Sequence, residues 1–295
     1  MKKLSIVLGL FILVPLVSAG DSCSLLNLGS CLPQKLFNFF IGILNAPIIP
    51  LLNLTKTLLV DPIRIDLFLP LWGIILYILS MFYGILMIYS GFNFMFSGHS
   101  AIKRAKAKEW FVNIFIMIVL IQASYFLYAL TLDVQSLMTA GIINLIDDKF
   151  FLITADNFVN LGLQFLFALF YAFTIIITIF LLAFRYIIVA AGVVFIPIGI
   201  FCYFISPLKE YGRLIFNFLG TNIFLGFFIS LIFLVCSQLT TISTFKEFKI
   251  LVMISAFGIA NLLMIYLMFF SAIKSATKTI DGGAATFASI AKYFV

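Results

Sequence analysis

Between Asp156 and Lys209 the chain carries one charged side chain, Arg185, with Pro197 and Pro207 further along the same apolar run. A guanidinium at the centre of a membrane helix costs about 3 kcal/mol on insertion scales, whereas one at the interface snorkels into water at little cost. Two roles follow for Arg185. It marks a turn at the cytoplasmic interface, or it is a charge turned toward the bundle interior or a water-filled passage, close to non-helical backbone that only a cavity tolerates. The apolar runs also carry uncharged polar residues: Asn113, Gln122, Ser124, Asn160, Gln164, Asn217, Thr221, Asn222 and Asn261. Such side chains either hydrogen-bond helix to helix or line a wide, uncharged passage. On the second reading the channel or gate candidates are Arg185, Pro197, Pro207, Asn160, Gln164, Asn217 and Asn222.

A second group is cationic. Lys103, Arg104, Lys106 and Lys108 crowd into "SGHSAIKRAKAKE" against one acid, Glu109. As a basic loop flanking a span they hold it on the cytoplasmic side. The same charges can meet anionic lipid headgroups, the phosphates of a transferred strand or the acidic surface of a cytoplasmic motor. A third group is sulfur. Cys23 and Cys31 fall in a short segment that reads as exported, where a disulfide is the expected use, while Cys202 and Cys236 lie in apolar runs and read as packed small hydrophobes.

Enzyme chemistry has no matching residues. Intramembrane proteolysis needs a Ser-His pair, facing aspartates or a His-Glu zinc site. Here the single histidine, His99, sits in a polar stretch and no Asp or Glu lies well inside an apolar run. Ion-coupled transport usually marks its path with such acids, and no Gly-rich loop ends in Lys-Ser or Lys-Thr to cradle a nucleotide. No catalysis, metal or cofactor is expected.

The elements that position these groups follow from composition. Of 295 residues 64% are hydrophobic and 10% charged, with net charge +7. That surface cannot be hidden in a soluble core, and apolar runs of roughly 20 residues or more read as spanning helices. The expectation is an all-α polytopic membrane protein with five or six transmembrane helices, five being accompanied by a re-entrant segment. Residues 1–19, with Lys2, Lys3 and an apolar stretch ending in Val17, Ser18 and Ala19, read as a signal peptide. Residues 20–66 form an exported segment, in which Pro47 and Pro50 favour an amphipathic helix or a hairpin over a straight span. Residues 67–273 are the transmembrane domain and 274–295 a tail. Spans are expected over about Leu67–Phe96, Trp110–Leu132, Leu214–Leu239 and Ile250–Ile273. Between the second and the last two, the long run holds either two spans turning at Arg185, or one span from Phe158 to about Arg185 and then a re-entrant stretch folded back at Pro197 and Gly199. The acidic connector Asp133–Asp156 is placed outside and the basic loop inside. That puts the mature N-terminus outside and, with five spans, the tail in the cytoplasm.

The stretch from Arg185 through Pro197 and Pro207 into "LKEYGRLIFNFLGTNIFLGFFISLIFLVC" resembles the core of the TrbL family, inner-membrane proteins of conjugative type IV secretion systems. In that family an arginine precedes a proline-containing apolar stretch, a second proline follows, and a short aromatic or basic helix leads into a long span. The correspondence falls on Arg185, Pro197, Pro207, Tyr211 and Arg213, with tyrosine where tryptophan is usual. The stretch "SGHSAIKRAKAKEWFVNIFIMIVLIQASYFLYALTLD" likewise resembles the basic turn and second helix of small conjugation-pilus subunits. The resemblance implies a homo-oligomeric channel or platform in the cell membrane, driven by a separate secretion ATPase. Its implied partners are the lipid bilayer, pilus subunits and transferred DNA. Two other readings stand beside it: a small-molecule permease, and a membrane scaffold for a surface pilus.

Overall fold

The computed structural model describes residues 28–153, 161–242, 245 and 248–270. Among them there is no strand, and six long helices follow one another: α1 Leu28–Val60, α2 Leu69–Phe96, α3 Ala101–Ile143, α4 Leu161–Phe204, α5 Lys209–Leu239 and α6 Lys249–Ile265. A single π turn, Tyr266–Phe270, continues α6. In lipid the backbone must satisfy its own hydrogen bonds, which is why helices take nearly the whole of so apolar a chain. Five stretches are long and apolar enough to cross a bilayer: Asp66–Phe96, Ala101–Ile143, Leu166–Phe204, Ser206–Leu239 and Lys249–Phe269. The chain is a multi-pass helical membrane protein.

Four expectations need correction. The long run neither turns at Arg185 nor folds back at Pro197, because α4 is one continuous helix of 44 residues with Pro197 inside it. The turn at Arg185 and the re-entrant fold at Pro197 therefore both give way to one continuous helix. The break that does occur is a 3-10 turn at Ser206–Leu208, where Pro207 starts the turn and α5 begins at once. The basic stretch Lys103–Lys108 is not a loop but the first turns of α3, as its Ala, Lys and Arg content favours. At its other end α3 runs on to Ile143, well into the expected connector. Finally, Pro47 and Pro50 do not make a hairpin, since α1 continues through both. It is held by packing: Ile48, Leu52 and Leu59 are buried in the main core. The Asn45 amide also donates to the Ile153 carbonyl at 2.9 Å and accepts from its N–H at 3.2 Å. The proposed signal peptide, Cys23 and the tail lie outside the described residues, as does the side chain of Cys31.

The main core joins α1, α4, α5 and α6, with Tyr171, Leu182, Leu225, Phe233, Met253 and Phe257 fully enclosed. Helix α6 runs parallel to α4, since Tyr171 meets Phe257, Thr178 meets Asn261 and Phe184 stacks on Phe269. Two smaller clusters join α3 and α4, one to Ile63 and Ile65 of the α1–α2 connection and the other to α2. Helix α2 is peripheral: only Leu79 and Ser90 of it are buried, whereas α5 and α6 bury a whole face each. Its Tyr77, Met81, Ile85 and Ile88 point outward.

Candidate functional site

Among the described residues Arg185 is the largest fully buried side chain, 1% exposed. It leaves α4 toward α5, where Nε donates to the Asn222 carbonyl and Nη2 to the Ile223 carbonyl, both at 2.8 Å. Helical carbonyls can each accept a second bond, so a guanidinium fork can bridge two of them without unwinding the helix. Glycine at 226 makes the room. A Cβ there would stand 3.0 Å from both Arg185 Nη2 and Gln135 Nε2. Gln135 of α3 donates to the Thr139 hydroxyl at 2.8 Å, so three helices converge on the charge. One turn along α4, the Tyr128 hydroxyl donates to the Val189 carbonyl at 2.6 Å, and Gly192 leaves the space into which that hydroxyl reaches. Both bonds of the Arg185 guanidinium run to main-chain carbonyls of α5 and not to a carboxylate.

The depth of this cluster is marked by the α1–α2 connection. Tyr186, the next residue, accepts a hydrogen bond from the Arg64 N–H at 3.1 Å, and the Tyr125 hydroxyl donates to the Asp66 carboxylate at 2.7 Å. Asp61, Arg64 and Asp66 are exposed. The level at which Arg185 is buried is thus also a level at which the chain carries surface charge. An apolar layer containing α2 lies on one side of this girdle, and one containing α6 on the other.

A second feature lies where both helical hairpins turn. The α2–α3 and α4–α5 connections meet around an open cleft of about 620 Å³, bringing Lys103 and Lys106 against Ser206 and Pro207. Sequence reasoning named Lys103, Lys106 and Pro207 separately, for different reasons. Arg104 and Lys108 are exposed on α3 and do not line the cleft.

The remaining candidates divide. Asn222 is buried, its amide donating to the Phe218 carbonyl while Oδ1 has no protein partner. Asn217, by contrast, is exposed on the outside of α5. Asn261 accepts from Thr178 at 2.8 Å and donates to the Thr174 carbonyl at 3.1 Å, and Ser124 accepts from the Trp72 indole at 3.0 Å. Asn160 lies outside the described residues, as does the side chain of Gln164. Pro197 sits within α4, distant in sequence from the Arg185 contacts. The residues that sequence reasoning missed are Tyr128, Gln135 and Thr139. A signal existed, because Ile121, Ser124, Tyr128, Leu132, Gln135 and Thr139 recur at helical spacing and are all buried.

Comparison with protein-family models, with curated proteins and with solved structures finds no match to this chain.

Proposed function

We propose that this chain is a non-enzymatic membrane subunit of a conjugation-like type IV secretion apparatus, working as an oligomeric platform for passage of DNA or protein. The observation that carries the reading is length. With 44 residues α4 extends about 66 Å, and even at a tilt of about 40° it covers about 50 Å along the membrane normal, against roughly 30 Å of hydrocarbon. Its outward face stays apolar throughout: Leu169, Phe173 and Phe180 on one side of the girdle and Ile187 and Phe195 on the other are exposed. Apolar surface that the bilayer does not reach needs protein to cover it. That favours a component of an assembly over a free-standing permease. The secretion apparatus is the assembly implied by the run from Arg185 to Arg213.

Arg185, Gln135, Thr178 and Asn261 bond to helix carbonyls or to each other inside one subunit, which supports a passage between copies rather than through one. The test is a photo-crosslinking residue placed at Phe173, Phe180, Tyr77 or Ile85 in the native host, together with deletion of the gene. Crosslinks to protein at the α4 positions and loss of transfer on deletion are expected. Crosslinks to lipid alone at all four positions, with transfer intact, would refute the reading.

A further inference from the structure

The cleft at the hairpin turns has the layout of a binding site for one lipid. Lys103, Lys106 and Trp110 share a face of α3, at i, i+3 and i+7, and all three line it. Along the helix axis the indole lies about 10 Å below the first ammonium. Trp110 packs edge-on against Tyr89 of α2, ring centroids 5.2 Å apart, which closes the lower part of the cleft with aromatic surface. The facing wall is the Ser206–Pro207 turn. No carboxylate lines the cleft, so the two ammonium groups give it an uncompensated positive charge. Its position is the end of the α2-containing layer, where the basic starts of α3 and α5 gather, and tryptophan is at home where hydrocarbon gives way to headgroups.

The geometry points to a binding site for a single anionic phospholipid: its phosphate lies between Lys103 and Lys106, and its glycerol backbone and upper chains run over Trp110 and Tyr89. A volume of about 620 Å³ suits a headgroup with its glycerol and is far too small for a nucleic-acid duplex. A free phosphate would use the ammonium groups and leave the aromatic part of the cleft uncovered. The inference rests on the cleft alone and stands whether or not the chain belongs to a secretion apparatus.

The full chain in neutral detergent is titrated with dioleoylphosphatidylglycerol, dioleoylphosphatidylcholine or inorganic phosphate. Thermal unfolding reads affinity, and native mass spectrometry counts retained lipid. Phosphatidylglycerol should raise Tm saturably, with one molecule held per chain. The variant K103Q/K106Q should bind about thirtyfold more weakly, from the usual contribution of two lysines near anionic lipid. The variant R104Q/K108Q removes the same charge outside the cleft and should bind within about threefold of the parent. Ser206→Trp fills the cleft from the facing wall with every cation in place and should abolish the saturable shift. Equal weakening in the two double variants would overturn the site in favour of diffuse surface charge. So would phosphatidylcholine binding as tightly, inorganic phosphate reproducing the shift, or a single-stranded oligonucleotide displacing the lipid one for one.

Discussion

Replacing Arg185 separates two kinds of change that a buried charge usually confounds. The guanidinium makes two charge-assisted hydrogen bonds to carbonyls, each contributing about 1.5 to 3 kcal/mol net. Against this stands the desolvation of a buried ion, several kcal/mol even after relaxation. The two terms nearly cancel, and the acceptors are not orphaned when the donor goes, because the Asn222 and Ile223 carbonyls sit within the α5 hydrogen-bond ladder. Arg185→Met, which keeps the length of the stem, should therefore change unfolding stability by no more than about 2 kcal/mol, and in the stabilising direction if desolvation dominates. Arg185→Lys keeps the charge but loses the fork that spans two carbonyls, and should cost about 3 kcal/mol. Arg185→Ala leaves a cavity and should cost about 2 to 5 kcal/mol. The assay is reversible unfolding in mixed micelles followed by tryptophan fluorescence. The reasoning fails if Met is worse than Lys, since that order would mean that the charge itself holds the bundle together.

Gly226→Ala should cost about 1 to 2 kcal/mol by crowding the Arg185 and Gln135 side-chain ends, and most of that cost should vanish in an Arg185→Met background, as a double-mutant cycle reads. Gly212→Ala should be worse, about 3 kcal/mol or more, because its Cβ would meet the Tyr203 backbone nitrogen at 2.5 Å and the Gly199 carbonyl at 2.7 Å, neither of which can swing away. Gly84→Ala, with nothing within 4 Å, is the matched control and should be neutral or stabilising by about 1 kcal/mol in the same unfolding assay. For topology, single cysteines at Ser206 and Thr241 in a background without the native cysteines flank α5 and must label from opposite sides of the membrane. With the basic end inside, an impermeant thiol reagent reaches position 241 in intact cells and position 206 only after permeabilisation. Labelling of both from one side would remove α5 as a span.

The existence of the spans was legible because length and apolarity are local properties that the bilayer reads directly. Their ends were not. The Lys103–Lys108 stretch reads as a loop on its charge, although Ala, Lys and Arg are good helix formers and charge alone does not end a helix. Pro47 and Pro50 read as breakers, and the buried contacts of Ile48, Leu52 and Asn45 that outweigh them come from residues about a hundred positions away or more. At Arg185 the sharper reading had the direction right, into the bundle, and the surroundings wrong. It looked for non-helical backbone beside the charge, whereas the partners are ordinary helical carbonyls on α5. No feature of one helix announces which carbonyls of another will face it. The small residue at Gly226 was visible, but its purpose depends on register between α4 and α5, which the sequence does not state.

The depth of Arg185 follows from its neighbours rather than from its place in α4. Counted along the helix it is central, and a central charge suggests the middle of the bilayer. Yet Tyr186 bonds the backbone of exposed Arg64, and Tyr125, on the same helix as Tyr128 and Gln135, bonds exposed Asp66. Those two charges cannot sit in hydrocarbon at the full insertion cost on the outer face of a bundle without drawing in water or headgroups. A slab drawn over α2, from the lysines of early α3 to Asp66, has Arg185 at its edge, buried sideways by protein rather than deep in lipid. Of the two roles open to the lone arginine, the interior one fits, since the side chain is enclosed by α3 and α5 and does not reach water. The cytoplasmic turn does not fit, because Arg185 lies level with Asp66, at the end of α2 remote from the lysines. What the helix does not do is turn there. It carries its apolar surface onward through the α6-containing layer, and on the proposed reading that surface is where a neighbouring subunit packs.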